Sequence, residues 1–291
     1  MGLKIIFRPF SEKYPRYDYI IKIIPVKKIF FLFVAGLTAC SQHNNAAVSL
    51  KDLTWIDLSY RYDSTTLYWP NNIKGFEHTT EAEGKTASGY YCSSYNICTP
   101  EHGGTHLDAP IHFAENKLTV DQLPLSSLTG YAVVIDISSK ALANRDYQVS
   151  VQDIENWEKE QNRIPDNTII LFRTGYGQFY PNRKKYFGTV KTGLEAIPEL
   201  HFPGISPETA QWLVEKRNIK ALGLDTPSLD YGQSKEFKTH QILLGRNKPG
   251  FENLANLDQL PLKGLYIVAL PMKIAKGSGA PLRIIATLVP Q

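Results

Sequence analysis

The sequence predicts an α/β fold: one domain, across residues 52–291, with a mixed sheet and flanking helices. Three observations predict it. Short β-branched runs bounded by Gly, Pro or Asp recur through the chain, several of them are apolar at nearly every position, and amphipathic segments lie between them. A strand covered on both faces has no polar side to alternate with, so continuous apolar runs mark a buried sheet.

The strand candidates are residues 131–136, 168–172, 219–224, 264–270 and 283–289. Two helices stand out. Residues 150–163 are polar with spaced apolar side chains at Val151, Ile154 and Trp157. The second opens on Ser206-Pro207-Glu208. There the hydroxyl can cap the first turn, the missing proline N–H costs nothing, and the acid meets the positive end of the helix dipole. It runs to about residue 218 and turns Ala210, Leu213 and Val214 inward. The 18 prolines fall largely between elements and stiffen the loops.

The formal net charge of +4 does not describe a binding surface. Residues 1–39 carry seven basic and two acidic residues, which leaves 25 basic and 26 acidic for the remainder. No basic stripe remains for a nucleic acid, and Arg183-Lys184-Lys185 reads as a solvated loop. The basic excess belongs to a leader. Lys27-Lys28 precede IFFLFVAGLTA and then Cys40. A basic start, an apolar run of roughly 7–15 residues and a small-residue exit describe a signal peptide, and the run falls short of the roughly 20 residues that span a bilayer. Leu37-Thr38-Ala39-Cys40 resembles a bacterial lipobox. The expectation is a signal at 1–39, whose true start is either Met1 or Val26, a lipidated Cys40, a tether at 40–51 and one catalytic domain at 52–291. Such a protein sits in the bacterial cell envelope, facing the periplasm and touching membrane only through its lipid. Ser41 after the cysteine favours the outer membrane in a Gram-negative host.

Of seven histidines, three fall together in EHGGTHLDAPIHF: His102, His106 and His112, with Asp108 two residues beyond His106. Gly103, Gly104 and Pro110 disfavour a helix here. A tight glycine loop entering an extended segment puts His106 and Asp108 on one side, and the loop can bring His102 to them. His, His and Asp make a ligand set for Zn²⁺ or Mn²⁺.

This segment resembles the signature of the metal-dependent cyclase family, which includes bacterial kynurenine formamidases and isatin hydrolases, and every fixed position of H-x-G-T-H-x-D-x-P-x-H-F is matched. Further blocks agree: Ile56-Asp-Leu-Ser59, Tyr68-Trp-Pro70, HFPGIS from His201, LDTPSLD ending at Asp230, His240, ENLANL from Glu252, and GSGAPLR from Gly277. The resemblance covers about residues 53–288. It implies a cyclase-like (swivelling β/β/α) domain in which His102, His106 and Asp108 bind a first metal. Asp108 would bridge to a second held by His240 and Glu252, so one or two ions are expected per subunit. It also implies a homodimer or homotetramer.

By the same resemblance His112 is the acid/base. A bound divalent ion lowers the pKa of its water toward about 7 and polarises a carbonyl. An imidazole with an ordinary pKa near 6.5 can take the water proton and return it to a leaving nitrogen. No G-x-S-x-G elbow is present, so activated water is preferred over an acyl-enzyme. The expected activity is hydrolysis of a C–N amide in a small molecule, either an aryl formamide such as N-formylkynurenine or a cyclic amide such as isatin. The alternatives are a lactone hydrolase, a cyclase or dehydratase on the same site, and a non-catalytic metal-binding envelope lipoprotein. An exported protein would not meet the cytosolic tryptophan-breakdown pool, which weakens the kynurenine assignment in particular.

Trp69 either stacks on the substrate ring or packs under the first loop. Phe113 is expected to pack the strand. Cys92 and Cys98 either close a short disulfide loop that braces the metal segment, which an oxidising envelope favours, or remain thiols.

Overall fold

The computed structural model describes residues 50–289; the leader, Cys40 and the tether up to residue 49 lie outside the described residues. Among the described residues no helix is long and apolar enough to cross a membrane.

In chain order the first strands are β1 (Trp55–Asp57), β2 (Glu77–Lys85), β3 (Tyr91–Cys98) and β4 (His106–Asp108). Then come α1 (Leu125–Leu128), β5 (Thr129–Asp136), α2 (Ser138–Ala143), β6 (Gln148–Val149), α3 (Val151–Gln161) and β7 (Ile169–Arg173). They are followed by α4 (Arg183–Phe187), β8 (Gly204–Ile205), α5 (Pro207–Lys216), β9 (Ala221–Leu224) and α6 (Lys238–Gly245). The chain closes with β10 (Gly250–Glu252), β11 (Leu265–Pro271) and β12 (Gly279–Leu288). All five strand candidates are present, within two residues at most ends.

Eight strands form one sheet in the order β1-β12-β11-β5-β7-β9-β10-β4, and β12 also pairs with β4. The ladder therefore closes on itself. Strands β5, β7, β9 and β10 run parallel, and β4, β11 and β12 run antiparallel to their neighbours. Closure gives the strands two buried faces. On β5, Ala132 and Val134 join Ile169, Leu171, Phe251, Ile267 and Ile284 on one side, whereas Val133 and Ile135 join Ile170 and Phe172 on the other. The second set lies under the helices, against Ile154 and Trp157 of α3 and Ala210 and Leu213 of α5. This is why β5 and β7 read as unbroken apolar runs.

The helix starts follow from their caps. Ser150 Oγ accepts from Asp153 N–H at 3.3 Å, while the Asp153 carboxylate accepts from Ser150 N–H at 2.8 Å. Ser206 Oγ accepts from Thr209 N–H at 3.1 Å, with Pro207 at the first helical position. A cap of this kind contributes ~1 kcal/mol. Both helices stop two residues earlier than their sequence pattern suggests. Asn162 after α3 has φ +74° and Asn218 beyond α5 has φ +42°, positive values that a continuing helix does not contain.

Two expectations are corrected here. Cys92 and Cys98 are exposed free thiols, because both lie in one strand, β3. Six residues of extended chain separate their Cα atoms by roughly 20 Å, far beyond the ~7 Å a disulfide bridges. The 183–185 run is the first turn of α4 rather than a loop; Lys184 and Lys185 are solvated as expected, whereas Arg183 is half-buried. The Arg183 guanidinium lies 5.0 Å from the centroid of the Phe187 ring and donates from Nη2 to the Tyr68 carbonyl at 3.4 Å.

Candidate active site

Strand β4 sits between β10 and β12, and its register assembles the site. His106 lies opposite Glu252 on one side and Pro281 on the other; Asp108 lies opposite Gly250 and Gly279. The glycine loop before it is shaped by two tyrosines. A Cβ on Gly103 would stand 2.1 Å from the Tyr68 ring, and Gly104 has φ +56°. The Tyr62 hydroxyl reaches the carbonyls of Gly103 and Thr105 at 2.8 and 2.6 Å. The chain can turn here because no side chain occupies the space the tyrosine fills. His102 thereby swings back over β4.

The expected ligands come together in two groups sharing Asp108: His102, His106 and Asp108, and Asp108, His240 and Glu252. His240 comes from the first turn of α6. Asp230 accepts from the backbone N–H groups of Thr239 and His240, at 3.2 and 3.1 Å, and from His240 Nδ1–H at 2.6 Å. One carboxylate thus caps the helix start and orients the ring.

The hydrogen-bond arithmetic tests whether a cation fits. His106 gives its Nδ1–H to the Gly104 carbonyl at 3.0 Å, and His240 gives its own to Asp230. In their neutral forms both rings therefore turn an Nε2 lone pair inward. His106 Nε2 faces Asp108 Oδ1 and Glu252 Oε2, both at 3.3 Å, and His240 Nε2 faces Asp108 Oδ2 at 3.2 Å and Glu252 Oε1 at 3.1 Å. His102 Nδ1 is 2.7 Å from Asp108 Oδ1. Acceptors pointed at acceptors in a buried site need positive charge between them. The titration behaviour says the same. Burial pushes His106 down, yet the carboxylates of Asp108 and Glu252 lift it to about 9. His240 rises well above the ordinary imidazole value against the same burial, through Asp108, Asp230 and Glu252. Burial raises Glu252, and the charge of Asp108 raises it further. Asp108 is held well below the carboxylate range although burial opposes it, because three imidazoles converge on it. A divalent cation supplies that charge, and the nitrogen and oxygen donors match its preferences.

His112 stands outside both ligand groups. It follows Pro110 in a short 3₁₀ turn and stacks on His102, ring centroids 3.8 Å apart. Burial, outweighing the attraction of Asp108, depresses it to about 4, so the ring is neutral at neutral pH. It lines a cavity of about 260 Å³ whose floor carries the ligands. Trp69, Phe113, Phe187 and Phe237 form its apolar wall. Trp69 packs against its neighbours, its ring meeting Phe202 and Phe237 edge-on at 6.3 and 6.0 Å, and it also lines the cavity. Phe113 corrects its expectation. Following the 3₁₀ turn rather than continuing a strand, it lies 4.7 Å from the His240 ring at the cavity wall.

Sequence reasoning assigned no role to Asp230, Phe237 or Glu101. Asp230 closes the LDTPSLD block and precedes His240 by ten residues. A carboxylate at that distance carries no local signal, since only the turn into α6 brings it under the imidazole.

A closed mixed sheet with a buried His/Asp/Glu cation site under an aromatic cavity defines a metal-centred α/β enzyme. The chain belongs to the Cyclase family, whose model matches residues 56–231. It is 32% identical over 199 residues to the isatin hydrolase of Roseibium aggregatum, covering 66% of this chain and 73% of that protein. It is 28% identical over 230 residues to the kynurenine formamidase of Salinibacter ruber, covering 79% of this chain and 95% of that one. Among solved structures, isatin hydrolase A from Labrenzia aggregata bound to benzyl benzoate superposes with a TM-score of 0.72 at 32% identity, covering 82% of this chain and 94% of that one. An isatin hydrolase bound to the product analogue thioisatinate gives 0.74 at 26% identity, with 82% and 94% coverage.

Proposed function

We propose that this protein hydrolyses the C–N bond of an aromatic amide, an aryl formamide or a cyclic amide of the isatin type, with one or two Zn²⁺ or Mn²⁺ ions and His112 as acid/base. The observation that carries the reading is the position of His112. It is a half-buried, neutral imidazole beside the cation site, inside the cavity, and outside the ligand set.

When bound, the ion lowers the pKa of a water and polarises the amide carbonyl. The protein supplies the rest. His102, His106, Asp108, His240 and Glu252 would hold the ion. Trp69, Phe113 and Phe237 hold an aryl ring against the wall and exclude water. His112 takes the proton from the attacking water and delivers it to the leaving nitrogen as the C–N bond breaks, so the proton count closes. A ring-opening substrate keeps both product groups in one molecule, whereas a formamide releases formate.

The test is a hydrolysis screen over formanilides, N-formylkynurenine, isatin and lactones, on protein loaded with Zn²⁺ or Mn²⁺. Turnover of an amide with release of formate or an opened ring supports the reading. Turnover of lactones alone, or none with full metal content, rejects it. We further infer a lipid anchor at Cys40 and a homodimer or homotetramer, supported by the LTAC segment and by the family resemblance. The mass of the mature N-terminus and light scattering test them.

A further inference from the structure

Glu101 and Ser278, 177 residues apart, meet beside His102. One Glu101 oxygen, Oε2, accepts from Ser278 N–H at 2.9 Å, Gly279 N–H at 3.3 Å and the Ser278 hydroxyl at 2.6 Å. On its other side the same hydroxyl lies 2.9 Å from His102 Nε2. A serine hydroxyl has one hydrogen. Given to the carboxylate, it leaves only lone pairs for the imidazole, so His102 Nε2 must carry the proton. Nδ1, 2.7 Å from Asp108, is then the nitrogen that faces the ligand cluster. This ring is turned over relative to its neighbours: His106 and His240 bond the protein through Nδ1 and face the cluster through Nε2.

The seat for the inverted ring is shaped to fit. A Cβ on Gly279 would stand 2.5 Å from His102 Cε1, so the ring lies directly on that backbone. Gly279 is also the β12 partner of Asp108. The segment that fixes the tautomer is therefore the one that pins the carboxylate.

We propose that Glu101 and Ser278 are positioning residues that hold His102 as its Nε2–H tautomer and present Nδ1 to the ion. This rests on the metal-site reading above. A carboxylate behind a ligating histidine raises the basicity of the ring and fixes its orientation, and losing such a partner weakens metal binding about 10–100-fold. Here the carboxylate acts through one hydroxyl.

The experiment compares wild type with Ser278→Ala, Glu101→Gln and Ser278→Thr. It measures Zn²⁺ and Mn²⁺ affinity by competition with a chelating dye, and the ¹⁵N imidazole spectrum of the Zn²⁺-loaded and metal-free proteins. The expected wild-type spectrum has His102 metallated at Nδ1 and His106 at Nε2, joined by His240 at Nε2 where a second ion binds. Ser278→Ala raises the dissociation constant about 10–100-fold. Glu101→Gln, whose amide oxygen can still accept, falls between, and Ser278→Thr recovers affinity. Wild-type affinity in both Ser278→Ala and Glu101→Gln, or His102 metallated at Nε2, overturns the proposal. If Ser278→Ala does not fold, Glu101→Gln decides by the same readouts. If wild type binds neither ion, the metal reading fails. The metal-free spectra then judge the relay: an Nε2–H on His102 that is present in wild type and lost in the variants sustains it, and no difference sinks it.

Discussion

His106 and Glu252 face each other across the β4–β10 ladder, register partners whose Nε2 and Oε2 atoms stand 3.3 Å apart. Two strands of three residues each bring a histidine loop and a distant glutamate into one coordination sphere. The register is fixed by what lies under it: Leu107, between the ligands His106 and Asp108, and Phe251, next to Glu252, are fully buried in the barrel core.

Removing the ion should therefore loosen the barrel as well as stop catalysis. At an ion concentration 100-fold above its dissociation constant, binding adds about 2.7 kcal/mol of stability. For a domain of this size that is a melting temperature roughly 5–10 °C higher. Thermal melts with and without chelator, followed by re-addition of Zn²⁺ or Mn²⁺, check both effects. Activity lost to chelator with an unmoved melting point would separate the ion from the fold and contradict the ladder argument.

The Gly103→Ala variant should lose metal binding while the rest of the domain still folds. Its methyl would meet the Tyr68 ring at 2.1 Å. Relieving that overlap means moving Tyr68 or the loop carrying His102, at about 1–3 kcal/mol. The β4–β12 pairing does not depend on it. Metal content by elemental analysis, set beside the far-ultraviolet circular dichroism spectrum, is the check; a variant with full metal content would show that the loop tolerates a side chain.

His112→Ala should keep its metal and lose activity about 10²–10⁴-fold in kcat, the usual contribution of a positioned acid/base. His112 touches His102 through ring stacking alone, so the ligand atoms keep their places. Loss of metal together with activity would recast His112 as part of the ligand scaffold.

These residues differ in how plainly the sequence shows them. The HGGTHLDAPIHF segment is legible because loop and strand are local: two glycines turn the chain and the period of an extended segment places His106 and Asp108 on one face. The parallel core strands are legible because burial on both faces removes polar alternation. Glu252 and His240 are visible only through resemblance, since their proximity is a matter of register and topology. Asp230, Glu101 and Ser278 carry no isolated signal, because a hydrogen bond across 177 residues leaves no period or spacing in the chain. Cys92 and Cys98 misled for the opposite reason: closeness in sequence suggests a loop, and a strand holds such residues apart.

The last expectation concerns stability away from the site. Glu158 on α3 accepts from Arg217 Nε and Nη2 at 2.7 and 2.6 Å, and from Ile164 N–H at 2.8 Å. These bonds tie the α3–β7 connection to the end of α5. Burial raises the carboxyl, but the arginine and the backbone donor outweigh it and hold Glu158 below the ordinary value of 4.5. A depressed carboxylate stabilises the folded state at every pH above the unfolded-state value, and that contribution is lost as pH falls through the folded-state value. Glu158→Gln removes the charge while leaving an oxygen for Ile164. The stability gap between wild type and this variant should be constant at pH values above the ordinary carboxyl value of 4.5 and should close as pH falls below it. Urea unfolding of both proteins at a series of pH values measures the gap. A gap that persists unchanged through that window would mean the pair holds the two helices by packing alone.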